Sequence, residues 1–339
     1  MKGIPSVKLA LPVLVAALAL PAAASAQVPT TPTSPTPPQN TTPTPAPTPA
    51  AADAKLTAFV KSGLIDHGRH YVLRGDRVLV TGRLKPAVSG QKVLVELLRK
   101  GKRVGAVRAK VGGGGKYSAR LRVRRVGGLV ARATHKKTAK QKAAHSKWVR
   151  FSSLTPSAHS GSSGEKVKLL QRALARLHYV TSRGGSYDDA TARAVVAYRK
   201  VNGMARISSA SATIFRRLWA GRGGYRLRYP KAGKHVEFDW SRQVLVLADG
   251  GEPVRIYHAS SGKPSTPTVF GTFRFYRKQP GTNSHGMVQS TYFIRGYAIH
   301  GYSSVPTYAA SHGCIRVPIP VALSIYNWIN LGDTIYVYR

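Results

Sequence analysis

One cysteine, Cys314, stands in 339 residues, so no disulfide can form within the chain. Acid is scarce too: 12 Asp and Glu face 53 Lys and Arg, a formal charge of +41 at pH 7. Beyond the first 26 residues no apolar run approaches the ~20 residues that a membrane span needs. Each shortage narrows the reading. A lone thiol has no structural bridge to make, and flanking histidines give it a chemical use. A one-sided charge points to a polyanionic partner, for which nucleic acid is the usual reading.

The first 26 residues argue against nucleic acid. Lys2 and Lys8 precede an apolar run, Leu9 to Leu20, broken by Pro12, and Ala24-Ser25-Ala26 closes the stretch. That pattern predicts a secretory signal peptide over 1–26 and an exported, extracytoplasmic protein at the cell wall. An uncleaved N-terminal anchor is the alternative fate of the same segment. Outside a bacterium the abundant polyanion is the wall with its anionic polymers, and the charge concentrates the protein there. Residues 27–54 are almost entirely Pro, Thr, Ala and Ser, an extended linker.

From 55 to 153 short apolar alternations recur, as in Val78-Leu79-Val80, Val93-Leu94-Val95 and Ala119-Arg120-Leu121, with turns at Ser89-Gly90 and Gly112 to Gly115. Period-two spacing with regular turns predicts a β-sandwich. The stretch resembles bacterial immunoglobulin-like modules. His135 to Lys147 holds five lysines and no acid, and is expected to be a solvated loop.

The spacing turns helical over 159–221. Val167, Leu170, Leu174 and Leu177 share one face, Thr191, Ala194, Val195 and Tyr198 another, and a third short helix is expected near Ala210 to Trp219. Asp189-Ala190-Thr191 opens the second, where a polar cap belongs. Leu170-Gln171, Leu174, Leu177, Tyr179, Asp188, Thr191, Ala194-Val195 and Tyr198 resemble the three-helix peptidoglycan-binding module. A helical spacer is the plainer alternative.

From 233 to 339 the chain is β-rich again. Asp249-Gly250-Gly251 between two apolar runs predicts a hairpin, Phe270–Phe275, Met287–Ile294 and Thr334–Tyr338 further strands, and Pro320–Ile329 a helix. Without β-α-β alternation the sheet is expected to be mostly antiparallel.

The chemistry gathers in His300-Gly301 and Ser311-His312-Gly313-Cys314-Ile315-Arg316. Attack on a carbonyl needs a thiolate, and a histidine within reach can take the proton and remain as the cation that stabilises it. His300 ends an apolar strand; His312 lies two residues from Cys314. Gly313 permits a sharp turn, and the Gly313 and Cys314 amides are candidates for holding an oxyanion. Arg316 offers a fork for a substrate carboxylate, or a salt bridge within the loop. Zinc ligation by His300, His312 and Cys314 is a competing chemistry, but no acidic base lies nearby in sequence. Papain-like enzymes place cysteine before histidine, opposite to this chain.

"IHGYSS…SHGCIRV", with "SSGKPSTPTVFGTF" before it and "GDTIYVY" after it, resembles the L,D-transpeptidase (YkuD) catalytic domain. The resemblance implies a Cys314 nucleophile and a His300 general base oriented by the Gly301 carbonyl. It also implies an oxyanion site shaped by His312 and Gly313, and no metal or organic cofactor. Ser311, Arg316 and Tyr292 are taken as substrate-binding residues. Only ten residues separate His300 from Ser311, so a short lid is expected. The whole is expected to be a multidomain, monomeric wall enzyme: an Ig-like β-sandwich, a small three-helix module and a mostly-β transpeptidase domain. Its partners would be peptidoglycan stem peptides and anionic wall polymers, with no nucleic acid and no integral membrane span in the mature chain. An L,D-carboxypeptidase and a non-catalytic basic wall-binding protein are the alternatives.

Overall fold

Alternation builds the first half of the fold. A computed structural model describes residues 50–339; the signal expected over 1–26 and most of the linker lie outside them. One sheet holds β1 (Lys55–Leu56), β2 (Phe59–Val60), β5 (Arg77–Lys85) and β8 (Lys116–Arg122), with β5 central. The other holds β3 (Leu64–Asp66), β4 (Arg69–Leu73), β6 (Lys92–Arg99), β7 (Lys102–Lys110), β9 (Gly127–His135), β10 (Ala144–His145) and β11 (Val149–Leu154). Val78, Val80, Val93, Val95, Leu121 and Ala131 point inward, each at 3% exposure or less. Every buried Val or Leu there contributes about 1.5–3 kcal/mol. The five lysines from Lys136 to Lys147 are exposed, as expected of a solvated loop, but the backbone between them is not free. Gln141 is buried and donates to the Pro86 carbonyl at 2.7 Å, and β10 pairs with β9.

Three helices follow: α1 (Glu165–Arg176), α2 (Asp189–Val201) and α3 (Ala212–Trp219). Asp188, one residue before the expected opening, caps α2 by accepting the Thr191 N–H at 2.8 Å. Gln171, fully buried on α1, has its amide nitrogen within 2.9 Å of Ser182, the Ser186 carbonyl and Thr191, which share its two hydrogens, and accepts the Gly185 N–H, which fastens the α1–α2 connection.

The last part contains β12 (His235–Asp239), β13 (Val244–Asp249), β14 (Glu252–His258), β15 (Gly271–Arg274), β16 (Arg277–Thr282), β17 (Val288–Ile294), β18 (Tyr297–Tyr302), β19 (Ile315–Pro318), α4 (Ile319–Trp328) and β20 (Thr334–Tyr338). The β13–β14 hairpin turns at Gly250-Gly251 as the sequence predicts. Two sheets form, in the orders β14-β13-β12-β20-β15 and β16-β17-β18-β19. Most pairs are antiparallel, but β12–β20 and β18–β19 are parallel. The β18–β19 pair positions the site.

β13 is buried on both faces. Leu245 and Leu247 join the core of the C-terminal part, while Val244, Val246 and Ala248 pack with Leu170, Leu174, Tyr198 and Phe215 of the helices. The helices therefore share a core with the sheet. Among the described residues no helix is long and apolar enough to cross a membrane.

Candidate active site

His300 lies in β18, and Cys314 sits one residue ahead of β19, its parallel neighbour, where Arg316 is in register with His300. The connection 303–310, short as expected, is held down rather than loose. His258 donates from Nε2 to the Val305 carbonyl at 2.8 Å, and the Ser260 hydroxyl donates to the Tyr308 carbonyl at 2.6 Å. His300, Ser311, His312, Cys314 and Arg316 open onto one cavity of about 330 Å³, completed by Tyr302, His285 and Met287. His285 and Met287 come from the β16–β17 connection; the sequence places Met287 at the start of a strand and gives neither residue a part in the site.

The His300 imidazole is 3% exposed and bonded through Nδ1 to the Gly301 carbonyl at 2.9 Å. A carbonyl only accepts, so Nδ1 carries the proton and Nε2 keeps its lone pair. A side chain at Gly301 would meet Ala322 of α4 at 2.7 Å, so the glycine lets α4 lie against β18.

The protons do not rest where a standing ion pair would put them. Burial, aided by the Arg316 charge and opposed by the Gly301 carbonyl, lowers the His300 pKa to about 4. Burial also pushes the Cys314 thiol up, against smaller opposing effects of the Ala298 N–H and Arg316. The thiol donates to the Gly296 carbonyl at 3.5 Å and makes no hydrogen bond to the imidazole. The resting pair is neutral thiol and neutral imidazole. Burial disfavours both charges, and sequence spacing carries no information on burial.

The SHGC turn is built by its own residues. Ser311 is 1% exposed; its hydroxyl donates to the Cys314 carbonyl at 2.5 Å and accepts the Gly313 N–H at 3.1 Å. It borders the cavity, but its hydroxyl is committed to the turn rather than free for substrate. The Gly313 amide is committed too, so of the two amides expected to hold an oxyanion that of Cys314 remains uncommitted. Gly313 has φ +118°, and a side chain there would meet the Tyr297 ring at 2.6 Å. His312 is exposed at the rim. Thr268 supports the turn from below, donating to the Gly313 carbonyl at 2.6 Å and accepting the Gly262 N–H at 2.8 Å.

Arg316 stacks on Tyr302, 4.1 Å from the ring centroid, and forms no salt bridge. The loop salt bridge weighed above is absent, which leaves a cation facing the cavity. Tyr292 does not line the cavity. Arg277 covers its ring at 4.0 Å, and its hydroxyl donates to Gln279 at 2.8 Å, so β17 turns it toward β16. Among the described residues no cluster of three or more His, Cys, Asp or Glu side chains is placed to hold a metal.

Behind the turn, α2 sends Lys200 into the catalytic part. Its Nζ donates to the Gln243 carbonyl at 3.0 Å, the Ala259 carbonyl at 2.9 Å and Nδ1 of His258 at 2.8 Å. Burial lowers the Lys200 pKa to about 6, yet three acceptors around one nitrogen fit an ammonium. His258, lowered to about 3 by burial and then by Lys200, is neutral.

The family profile described as the L,D-transpeptidase catalytic domain, YkuD, matches residues 233–337. No curated protein matches the chain. A solved L,D-transpeptidase from Xylanimonas cellulosilytica (residues 123–326) is 33% identical, with TM-score 0.52, over 55% of this chain and 98% of that one. An L,D-transpeptidase from Stackebrandtia nassauensis is 19% identical, with TM-score 0.35, over 54% of this chain and 95% of that one.

Proposed function

The chain belongs to the L,D-transpeptidase family, and we propose that Cys314 and His300 carry out cysteine-dependent acyl transfer between peptidoglycan stem peptides. The donor is a tetrapeptide stem. As the Cys314 sulfur bonds to the carbonyl carbon at the L-centre of the third residue, Nε2 of His300 takes the thiol proton. The neutral resting pair thus ionises only along the reaction, while the oxyanion takes the free amide of Cys314. His300 then protonates the departing amine of the terminal D-Ala, which leaves a thioester. A side-chain amine of a second stem attacks the thioester and gives its proton to His300. The thiol returns as a crosslink forms between two third-position residues. Arg316 is assigned to a substrate carboxylate, since among the described residues no carboxylate pairs with it. His312 is assigned to the cavity mouth.

The observation that carries this reading is the chain's only thiol beside an imidazole with its tautomer fixed, on neighbouring parallel strands around one cavity. Product analysis with a tetrapeptide stem tests it. Crosslinked dimers bearing one D-Ala fewer than two donors identify the transpeptidase. Tripeptide alone identifies an L,D-carboxypeptidase with water as acceptor, and unchanged stems identify a non-catalytic wall-binding protein.

The setting belongs to the same proposal. Residues 1–26 direct export, 27–54 are a spacer, and 55–153 are an immunoglobulin-like sandwich. Residues 159–221 are a peptidoglycan-binding-like module and 233–339 the catalytic domain of a monomer in the wall. The two-sheet packing, the capped three-helix arrangement and the +41 charge support these assignments.

A further inference from the structure

The outer face of the β1-β2-β5-β8 sheet is built against its own stability. Along β5 the inward residues Val78, Val80 and Leu84 alternate with exposed Arg77, Arg83 and Lys85. Their cross-strand partners are also cations: Arg77 faces Arg122, Arg83 faces Lys116, and Lys85 faces Lys55. Like charges directly opposite one another destabilise a sheet, and this face has three such pairs, one at the start of β5 and two at its end. Arg120, opposite Leu79, and Lys61 extend it.

No carboxylate relieves the repulsion. None of these cations forms a salt bridge, and residues 1–49 contain no Asp or Glu that could reach them. Beside the Arg83–Lys116 pair the face opens into a groove of about 720 Å³, which Lys61 and Lys110 also line. At its centre Phe59 is 55% exposed and lies opposite Thr81, which pairs on its other side with Ser118.

We propose that this face binds a linear polymer of sugar- or polyol-phosphate units. The cations run from Arg77 to Lys85 along one strand, about 26 Å of extended chain, which suits a repeating anion better than a compact one. Phe59 offers a flat surface to a carbon backbone or sugar face, and Thr81 and Ser118 offer hydroxyl partners beside it. A single-stranded nucleic acid would use several aromatic rings for its bases, and this groove exposes one. The choice of a wall polymer rests on the wall setting proposed above; the cationic face does not.

The test is a titration of the full chain with poly(glycerol phosphate) at several salt concentrations, on two variants of equal net charge. R77Q/R83Q/K116Q/R122Q removes two of the face's three like-charge pairs. K136Q/K137Q/K140Q/K147Q removes the same charge from the loop beyond β9. The face variant is expected to bind about ten-fold or more weaker, with a salt slope shallower by about 3, and to melt no lower than the parent because repulsion is relieved. The loop variant is expected to bind like the parent. Equal weakening in both variants, or a lower melting temperature for the face variant alone, would overturn the proposal. So would tighter, face-dependent binding of a single-stranded DNA oligomer. Acyl-enzyme formation, measured in parallel on all three proteins, stays at the parental level, so failure of the polymer site is distinguishable from failure of the proposed chemistry.

Discussion

Burial of His300, with Cys314 half-buried beside the same cavity, makes protonation the central issue at the scale of single residues. A general base must be neutral to act, and His300 becomes cationic only as pH falls through about 4. The acid limb of kcat/KM is therefore expected near 4, not near the ordinary 6.5 of histidine, as read from a pH-rate profile with a tetrapeptide donor. An acid limb at 6.5 would mean that the imidazole is solvated. Gly313 gives a second prediction. With φ +118° and the Tyr297 ring 2.6 Å from any added carbon, Gly313→Ala strains the turn by about 1–3 kcal/mol. The displaced sulfur is expected to slow acylation by about 100-fold, measured as a single-turnover rate; an unchanged rate would mean that the turn is not set by this glycine. The thiol, the imidazole and the HG and SHGC signatures were legible in the chain. Their protonation was not, because it depends on what the fold packs around them. Ser311 and Tyr292 look available in one dimension; the turn and the register of β17 commit them elsewhere.

Among the elements, α2 makes the most consequential contact. Lys200 supplies the three donors that satisfy Gln243, Ala259 and His258 behind the catalytic turn. Lys200→Met keeps most of the apolar stem, one heavy atom shorter, and leaves those acceptors unsatisfied. A loss of about 2–4 kcal/mol is expected, read from urea unfolding, together with lower kcat/KM because His258 also secures Val305. Unchanged stability would show that the contact contributes nothing. Deleting the helices would not isolate a binding role, since it would uncover Val244, Val246 and Ile256. The three helices and their faces could be read from apolar spacing. Their docking site was also written, in the unbroken run Val244-Leu245-Val246-Leu247-Ala248, which suits a strand buried on both faces. Lys200 gave no such signal, because a lysine in a helix reads as solvated until its neighbours are known.

For the molecule as a whole, scarcity of acid makes each carboxylate informative. Glu237 is fully buried and accepts from the Arg228 and Tyr229 N–H groups at 3.1 and 2.8 Å, from Nε2 of His235 at 3.3 Å, and from Tyr338. Burial alone would raise its pKa, but these bonds outweigh it and hold the carboxyl below its usual value. Burial likewise opposes the charge on His235, yet Glu237 and the Gly233 carbonyl raise its pKa. The Glu237 contribution is present above about 4.3 and lost as pH falls through its lowered value. The His235 contribution is present below about 6.5 and lost as pH rises through its raised value. Thermal unfolding is thus expected to show a maximum between about pH 4.3 and 6.5, flattened on its acid side in Glu237→Gln. A maximum above pH 8 would contradict the pairing. Net charge indicated a polyanionic setting from the start, but only strand register placed like charges opposite one another on a single face. Whether this molecule is an acyl-transfer enzyme is decided most directly by the mass of the intact protein after brief exposure to a tetrapeptide stem. The parent is expected to gain the stem less its terminal D-Ala, and folded Cys314→Ala to gain nothing. An adduct that persists on Cys314→Ala, or a folded parent that never gains mass, would contradict a thioester at Cys314.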